Sequence, residues 1–233
     1  MAPTHTCLPF GMGYPAKMKA PTCAFLYLAF LLCQGLAQTE STPATKSNAK
    51  GPVNVLVAYD SLTGNTEKMA GGAAEGAKEV GGVAVTLKKA AEVTKEDLEK
   101  ADGIILGCPA YYGTIPGRLK VVIDDWSWKM KVDFTDKVGG AFSTGGGQAG
   151  GKEFVVMSLL MFMLNNRMVV AGPLYHNDKT GSVWAEVGAT AMTGPLDPGV
   201  GEGELDSARR LGERVARLAV KLKGFAAQAK TQP

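Results

Sequence analysis

A short cluster of hydroxyl-bearing residues around one glycine offers the clearest chemistry in this sequence. The cluster lies between an apolar run and a helical pattern and consists of Ser61, Leu62, Thr63, Gly64, Asn65 and Thr66. The first N–H groups of a helix lack intrahelical partners and carry partial positive charge, so a phosphate fits there. Helix capping is the alternative role for these residue types. The cluster has no lysine and does not match GxxxxGK, which disfavours an NTPase.

Two further loops follow apolar runs and could hold a planar group. The first consists of Pro109, Ala110, Tyr111, Tyr112 and Gly113. The second consists of Ser143, Thr144, Gly145, Gly146 and Gly147. Tyrosine rings can contact a planar ligand, and glycines let backbone amides approach it closely. Taken alone, each loop is also explained by packing or by a flexible turn.

The elements that must position these loops alternate along the chain. Apolar runs predict strands at 53–59, 83–87, 103–107, 139–143 and 168–171. Helical patterns lie at 65–80, from a Thr94/Asp97 capping box to residue 100, after Pro116, and at 153–166 and 204–223. We therefore predict an α/β fold with three layers, in which a doubly wound five-stranded parallel sheet has the order 2-1-3-4-5. Such a sheet binds ligands at the C-terminal ends of strands 1 and 3.

The three loops together resemble those of a known family. Residues 61–66 resemble the FMN-phosphate motif T/S-x-T-G-N-T of flavodoxins. Residues 107–113 resemble G-T-P-T-R-F-G, and residues 143–153 resemble S-T-G-x-G-G-G-Q-E, of the WrbA-type NAD(P)H:quinone oxidoreductases. The likeness covers residues 53–224 and includes Gly188-Ala189-Thr190. It implies a flavodoxin-like fold, FMN held by the three loops, and NAD(P)H and a quinone as substrates.

Some segments depart from that family. Asn165-Asn166-Arg167 replace its His-His-Gly, whose histidine lies beside the flavin and substrate, and residues 182–187 replace its G-G-T-P-Y-G. The resemblance therefore supports the flavin contacts better than the nicotinamide and quinone contacts. Either Trp126 or Trp128 could match the family's substrate-side tryptophan, or both could pack in the core. Cys108 is expected to be a buried, inert thiol.

Three functions are compatible with these observations. The first is an FMN-dependent oxidoreductase that transfers two electrons from NAD(P)H to a quinone; FMN supplies the chemistry, so we assign no catalytic residue. The second is a flavodoxin-type electron carrier without nicotinamide-dependent turnover, which the Thr63-Gly64-Asn65-Thr66 sequence favours. The third is an FMN-binding module that has lost turnover. Carriers are usually strongly acidic so that they dock on basic partners, and the near-neutral charge derived below argues against one.

The N-terminal residues have a different composition from the rest of the chain. Lys17 and Lys19 precede an apolar run over 24–32, and Ala37 ends a small-residue segment, as in a cleaved secretory signal peptide. The run is shorter than the roughly 20 residues of a membrane-spanning helix. A buried helix, a start at Met18 and lipidation of Cys33 are the alternatives. Removing residues 1–37 takes two of the 25 basic and none of the 22 acidic residues, leaving 23 − 22 = +1.

We divide the chain into a leader (1–37), a flexible linker (38–52), an FMN-binding domain (53–224) and a tail (225–233). The leader predicts an exported protein, or a cytoplasmic one if the start is misassigned. Export conflicts with NAD(P)H as the donor, because this nucleotide is expected inside the cell.

Composition disfavours several other classes of function. The basic residues are scattered, the net charge is only +3 and aromatic residues make up 7%, so we expect no nucleic-acid binding. No CxxC pair occurs and the two histidines are isolated, so we expect no metal site. The apolar helix at 153–166 should be buried. The same helix and the family resemblance imply a homo-dimer or tetramer.

Overall fold

The computed structural model describes residues 51–173, 187–196 and 199–229. The predicted leader, residues 38–50 of the predicted linker and residues 182–186 of the divergent segment lie outside the described residues. So do His176 and the last four residues of the predicted tail.

Strands and helices alternate along the described chain, as predicted. The strands are β1 (Val53–Tyr59), β2 (Val83–Lys89), β3 (Gly103–Pro109), β4 (Val138–Gly145), β5 (Val169–Val170) and β6 (Ala189–Met192). The helices are α1 (Asn65–Lys78), α2 (Lys95–Lys100), α3 (Gly117–Trp128), α4 (Lys152–Asn165) and α5 (Glu202–Ala229). A 3₁₀ turn at Ala90–Glu92 precedes α2.

The strands pair in parallel in the order β2-β1-β3-β4-β5, which confirms the predicted order. β1, β3 and β4 are buried almost throughout because helices cover both faces of the sheet. β2 is more exposed and ends in Lys88 and Lys89. Within the described part of the chain, β2 pairs with β1 alone and forms one edge of the sheet.

The fifth position of the sheet differs from the prediction. β5 pairs only with Val138 and Gly139, whereas β6 pairs with the C-terminal half of β4, from Phe142 to Gly145. Two short parallel strands thus fill the position that we expected one strand at 168–171 to fill. The sequence analysis missed β6 because Ala189–Met192 is short and consists mostly of residues with little preference for strands.

The helices agree with the predicted pattern in type but differ in extent and burial. The capping box is confirmed: Thr94 Oγ1 accepts the Asp97 N–H at 3.2 Å, and Thr94 N donates to Asp97 Oδ2 at 2.9 Å. α5 runs to Ala229, through the start of the predicted tail. α4 is not buried all round, since Phe154 on its outer face is 74% exposed. No helix in the described ranges has the length and apolar character needed to cross a membrane.

Two apolar layers hold the helices on the sheet. One lies between the sheet and the pair α1 and α5, and the other lies under α2, α3 and α4. Within the first layer α1 and α5 approach very closely. A Cβ on Gly76 of α1 would lie 1.9 Å from the backbone oxygen of Arg209, and one on Gly212 of α5 would lie 1.9 Å from that of Ala73. These glycines fix α1 against α5 and so fix the position of the loop that precedes α1.

We predict that Gly76→Ala destabilises the protein by about 1–3 kcal/mol, because the added methyl group would overlap the α5 backbone. Gly71→Ala on the same helix is the control, since a Cβ there meets nothing within 4 Å. It should leave stability unchanged or raise it by up to about 1 kcal/mol. Urea unfolding of both variants measures the difference; equal effects would contradict the close packing of α1 and α5.

Candidate functional site

The three predicted loops meet at the C-terminal edge of the sheet, where β1, β3 and β4 end. They enclose an open cleft lined by Leu62, Thr63, Thr66, Pro109, Ala110, Tyr111, Thr144, Gly145, Gly146 and Thr193. All of these except Thr193 are predicted site residues. Thr193 follows β6, and its N–H donates to the carbonyl of Gly145 at 3.0 Å. The missed strand therefore accounts for the missed wall residue.

The loop after β1 leaves the start of α1 without a side-chain cap. Gly64 is the N-cap residue, with φ 89°, and no side chain accepts from the first turn. The hydroxyl of Ser61 accepts instead from the N–H of Gly64 at 3.1 Å, within the loop. The capping alternative is therefore not what the structure shows. The first N–H groups of α1 remain available to an anion.

Buried hydrogen bonds fix this loop in place. The hydroxyls of Thr66 and Thr144 lie 2.7 Å apart, which joins the start of α1 to the end of β4. Tyr59, the last residue of β1, donates from its hydroxyl to Glu67 Oε1 at 2.6 Å. Burial, together with this hydrogen bond, raises the pKa of Tyr59 to about 12, so its hydroxyl stays a donor near neutral pH. The strand end and helix start that flank the loop are thereby tied together.

The loop after β3 forms a tight turn at the edge of the cleft. Tyr111 and Thr114 exchange backbone hydrogen bonds of 3.1 and 3.0 Å, and the N–H of Ala110 donates to the carbonyl of Thr144 at 2.6 Å. Tyr112 and Gly113, between the two, have φ of 52° and 76°. This left-handed conformation suits glycine but costs a tyrosine about 1–2 kcal/mol. The ring of Tyr112 is fully exposed, so no burial in this chain offsets that strain.

An ion pair supports the other tyrosine of this turn. Arg118, in the first turn of α3, donates from Nε to Asp60 Oδ1 at 2.7 Å, and its Nη2 lies 2.6 Å from Oδ2. Its guanidinium carbon lies 5.1 Å from the centre of the Tyr111 ring, in cation–π range. The sequence analysis did not identify Asp60 or Arg118. Their ion pair joins the end of β1 to α3, and no short sequence motif indicates it.

The loop after β4 is built over buried polar groups. Ser143 is buried and donates to the carbonyl of Cys108 at 2.9 Å, which joins β3 to β4. Cys108 is buried as expected, and burial raises the pKa of its thiol well above the usual range. Lys152, which the sequence analysis did not identify, is 3% exposed, and its Nζ donates to the carbonyl of Gly147 at 2.6 Å. This bond holds the glycine loop against the start of α4.

Several predicted residues shape the loops without forming the cleft wall. They are Ser61, Gly64, Asn65, Tyr112, Gly113, Ser143 and Gly147. Asn65 Nδ2 donates to Thr63 Oγ1 at 3.5 Å. A Cβ on Gly151 would lie 2.5 Å from the Cα of Gly113, so the β3 and β4 loops pack closely. The predicted site is thus one assembled structure in which some residues face the cleft and others support it.

The Asn165-Asn166-Arg167 segment, which departs from the family, lies at the other end of the sheet. Arg167, at the end of α4, accepts from the N–H of Asp136 through its carbonyl at 3.1 Å, just before β4 begins. Asn166 Oδ1 accepts from Ser127 at 3.1 Å. Trp126 is buried in the core, whereas Trp128 is 81% exposed. Within one chain, this Asn165-Asn166-Arg167 turn is separated from the cleft by the length of β4.

The cleft suits a ligand with a phosphate at one end and a flat ring at the other. The uncapped α1 N–H groups and nearby hydroxyls would take the phosphate. Between the Tyr111 turn and Gly145–Gly146, a planar group would meet an aromatic ring on one side and backbone amides on the other. Across the described ranges, no three His, Cys, Asp or Glu side chains gather as a metal site would need.

Known proteins are similar to this chain in sequence and in fold. Residues 82–181 match the family model described as NADPH-dependent FMN reductase. The chain is 38% identical over 162 residues to a flavodoxin of Aquifex aeolicus, with 70% of this chain and 84% of that one aligned. It is 36% identical over 197 residues to an NAD(P)H dehydrogenase (quinone) of Sinorhizobium fredii, with 72% and 98% aligned.

Solved structures show the same arrangement of strands and helices. A flavodoxin, WrbA-like protein from Agrobacterium tumefaciens superposes with a TM-score of 0.55 at 24% identity, covering 72% of this chain and 98% of that one. A flavodoxin from the domain Archaea gives 0.56 at 20% identity, covering 72% and 99%. At these identities the likeness concerns the fold.

Proposed function

The chain belongs to the flavodoxin-like family of WrbA-type NAD(P)H dehydrogenases (quinone), and we propose that it is an FMN-dependent oxidoreductase transferring two electrons from NAD(P)H to a quinone. One observation carries this proposal. The uncapped start of α1, the tyrosine turn and the glycine loop meet in a single cleft at the reversal of strand order. The sequence identity to an NAD(P)H dehydrogenase (quinone) over almost the whole of that protein adds support.

The residues of the cleft bind and orient rather than react. A bound FMN would supply the redox chemistry between the nicotinamide and the acceptor. The N–H groups at the start of α1 and the hydroxyl of Thr63 would hold its phosphate. The backbone amides of Gly145 and Gly146 would face the ring edge, and Tyr111, held by Arg118, would contact the ring itself. No side chain is needed as an acid or a base.

A flavodoxin-type carrier is the second candidate. The Thr63-Gly64-Asn65-Thr66 sequence and the 38% identity to a flavodoxin favour it. The charge of the chain argues against it, because the 25 basic residues outnumber the 22 acidic ones and an acidic surface would be needed to dock on basic partners. A module that binds FMN without turnover would behave as this carrier does in an assay with nicotinamide.

One experiment separates these functions. The purified protein is loaded with FMN, and oxidation of NADH and NADPH is followed with and without benzoquinone. We expect nicotinamide oxidation that depends on both FMN and quinone. Tight FMN binding without reduction by either nucleotide would establish the carrier or binding module instead. A protein that binds no FMN would refute both.

The phosphate role of the β1 loop can be tested through ligand choice. We predict that Thr63→Val weakens FMN binding about ten- to a hundredfold, because a hydrogen bond to a charged group contributes roughly 1.5–3 kcal/mol. Binding of riboflavin, which lacks the phosphate, should change less than about twofold. Thr86→Val, on exposed β2, is the control and should alter neither affinity. Fluorescence titration measures both; equal losses for FMN and riboflavin would contradict a phosphate contact.

We also propose that a second copy of the chain covers the outer face of α4. That face exposes Phe154, Met157, Met161 and Leu164 by 74%, 43%, 49% and 50%, and exposed apolar patches often mark interfaces. Sedimentation should show a dimer or tetramer for the wild type and a smaller species for Met161→Glu. Val121→Glu, at an apolar position of α3 that is 60% exposed, should keep the wild-type state. A monomeric wild type would refute the proposal.

We propose further that residues 1–37 direct export, on the basis of the leader pattern in the sequence. N-terminal sequencing of the protein from its own cells should then begin at Gln38, and a mature chain that retains residues 1–37 would refute cleavage. Outside the cell the donor would have to be a reductant other than free NAD(P)H. An N-terminus at Gln38 would therefore favour the carrier over the NAD(P)H-dependent enzyme, and a chain that retains residues 1–37 would favour the enzyme.

A further inference from the structure

Lys152 is a buried cation beside the cleft without a matching anion. The residue is 3% exposed, and its Nζ donates to one neutral acceptor, the carbonyl of Gly147, at 2.6 Å. Among the residues that the structure describes, no carboxylate forms an ion pair with it. Burying a charge without a counter-charge is unfavourable, so buried lysines are usually paired.

The position of Lys152 in its helix adds to this imbalance. Lys152 is the first residue of the 14-residue helix α4, and its N-cap, Gly151, provides no side-chain acceptor. A helix N-terminus carries partial positive charge and favours acidic side chains. Glu153, the acidic side chain of this first turn, is exposed to solvent, so the buried positive potential comes from the lysine and the helix start. Such an arrangement suits an anion from outside the chain.

Only a glycine separates the side-chain stem of Lys152 from the cleft. A Cβ on Gly145 would lie 3.2 Å from Cγ of Lys152, so the lysine stem packs directly behind Gly145. Gly145 lines the cleft. The other nearby cation, Arg118, is neutralised by Asp60. Lys152 is thus a lysine behind the glycine wall for which the described residues provide no carboxylate partner.

We propose that Lys152 stabilises the negative charge that the flavin ring gains on reduction, so that the protein prefers reduced FMN to oxidised FMN. This inference rests on the proposed function. A hydride brings two electrons and one proton to the ring, and the product carries one negative charge at neutral pH. The lysine forms no covalent bond. Its charge would act past Gly145, which is buried, and electrostatic interactions are stronger in a poorly solvated environment than in water.

Lys152 supplies two separable contributions, a hydrogen bond to Gly147 and a charge. A glutamine could also donate to the carbonyl of Gly147, but it would bring no charge. Lys152 is therefore a tuning and positioning residue. A role limited to holding the loop would require the hydrogen bond alone.

The test compares variants that separate the charge from the hydrogen bond. Lys152→Gln keeps a donor and removes the charge, whereas Lys152→Arg keeps both. For each protein, the affinities for oxidised and dithionite-reduced FMN and the two-electron midpoint potential are measured at pH 7. We expect Lys152→Gln to reduce the ratio of the affinity for reduced FMN to that for oxidised FMN about tenfold. This change lowers the midpoint potential by about 30 mV. Lys152→Arg should stay within about twofold of the wild type.

Lys120→Gln is the matched control, because Lys120 is exposed on α3 and already pairs with Asp124. It should leave the potential unchanged. An unchanged potential in Lys152→Gln that still binds oxidised FMN would overturn the inference while leaving nicotinamide turnover, and so the proposed function, intact. If that variant fails to fold, the wild type decides, since tighter binding of oxidised than of reduced FMN contradicts the inference. A wild type that binds neither form refutes the proposed function as well.

Discussion

The reversal of strand order between β1 and β3 is the constraint on which the site depends. At that point the loops leaving neighbouring strands run to opposite faces of the sheet, so a crevice must open between them. Hydrogen bonds between segments that are far apart in the sequence then hold the edges of this crevice in place. The buried contact between the hydroxyls of Thr66 and Thr144 joins residues 78 positions apart. The shape of the cleft is thus a property of the whole sheet rather than of any single loop.

The polar groups around the cleft divide into two sets. One set satisfies itself within the protein, as Ser143 does with Cys108 and Arg118 does with Asp60. The other set, at the starts of α1 and α4, has donors or charge to spare. The first set gives rigidity, because each bond joins two elements of the sheet or its helices. The second set would favour an anionic ligand in the cleft.

Much of this arrangement could be predicted from the sequence, for a physical reason. The strand order follows from alternation and handedness, and it brings the loops after β1, β3 and β4 together whatever their side chains are. The roles of residues that depend on tertiary contacts could not be predicted in this way. In the sequence, Arg118 and Lys152 are an ordinary arginine and an ordinary lysine on helices. Only the fold places Arg118 beside Asp60 and Lys152 beside Gly147. β6 was missed because pairing with β4, rather than its own composition, makes Ala189–Met192 a strand.

The open edge at β2 has a consequence for how the protein can associate. An unpaired strand edge is a template for adding another strand, and uncontrolled addition leads to aggregates. Here the edge strand ends in two lysines, and Lys88 is held by Asp97 of α2 at 2.7 Å. Bringing two such edges together would oppose like charges and desolvate this ion pair. Growth of the sheet from one molecule to the next through the β2 edge is therefore disfavoured.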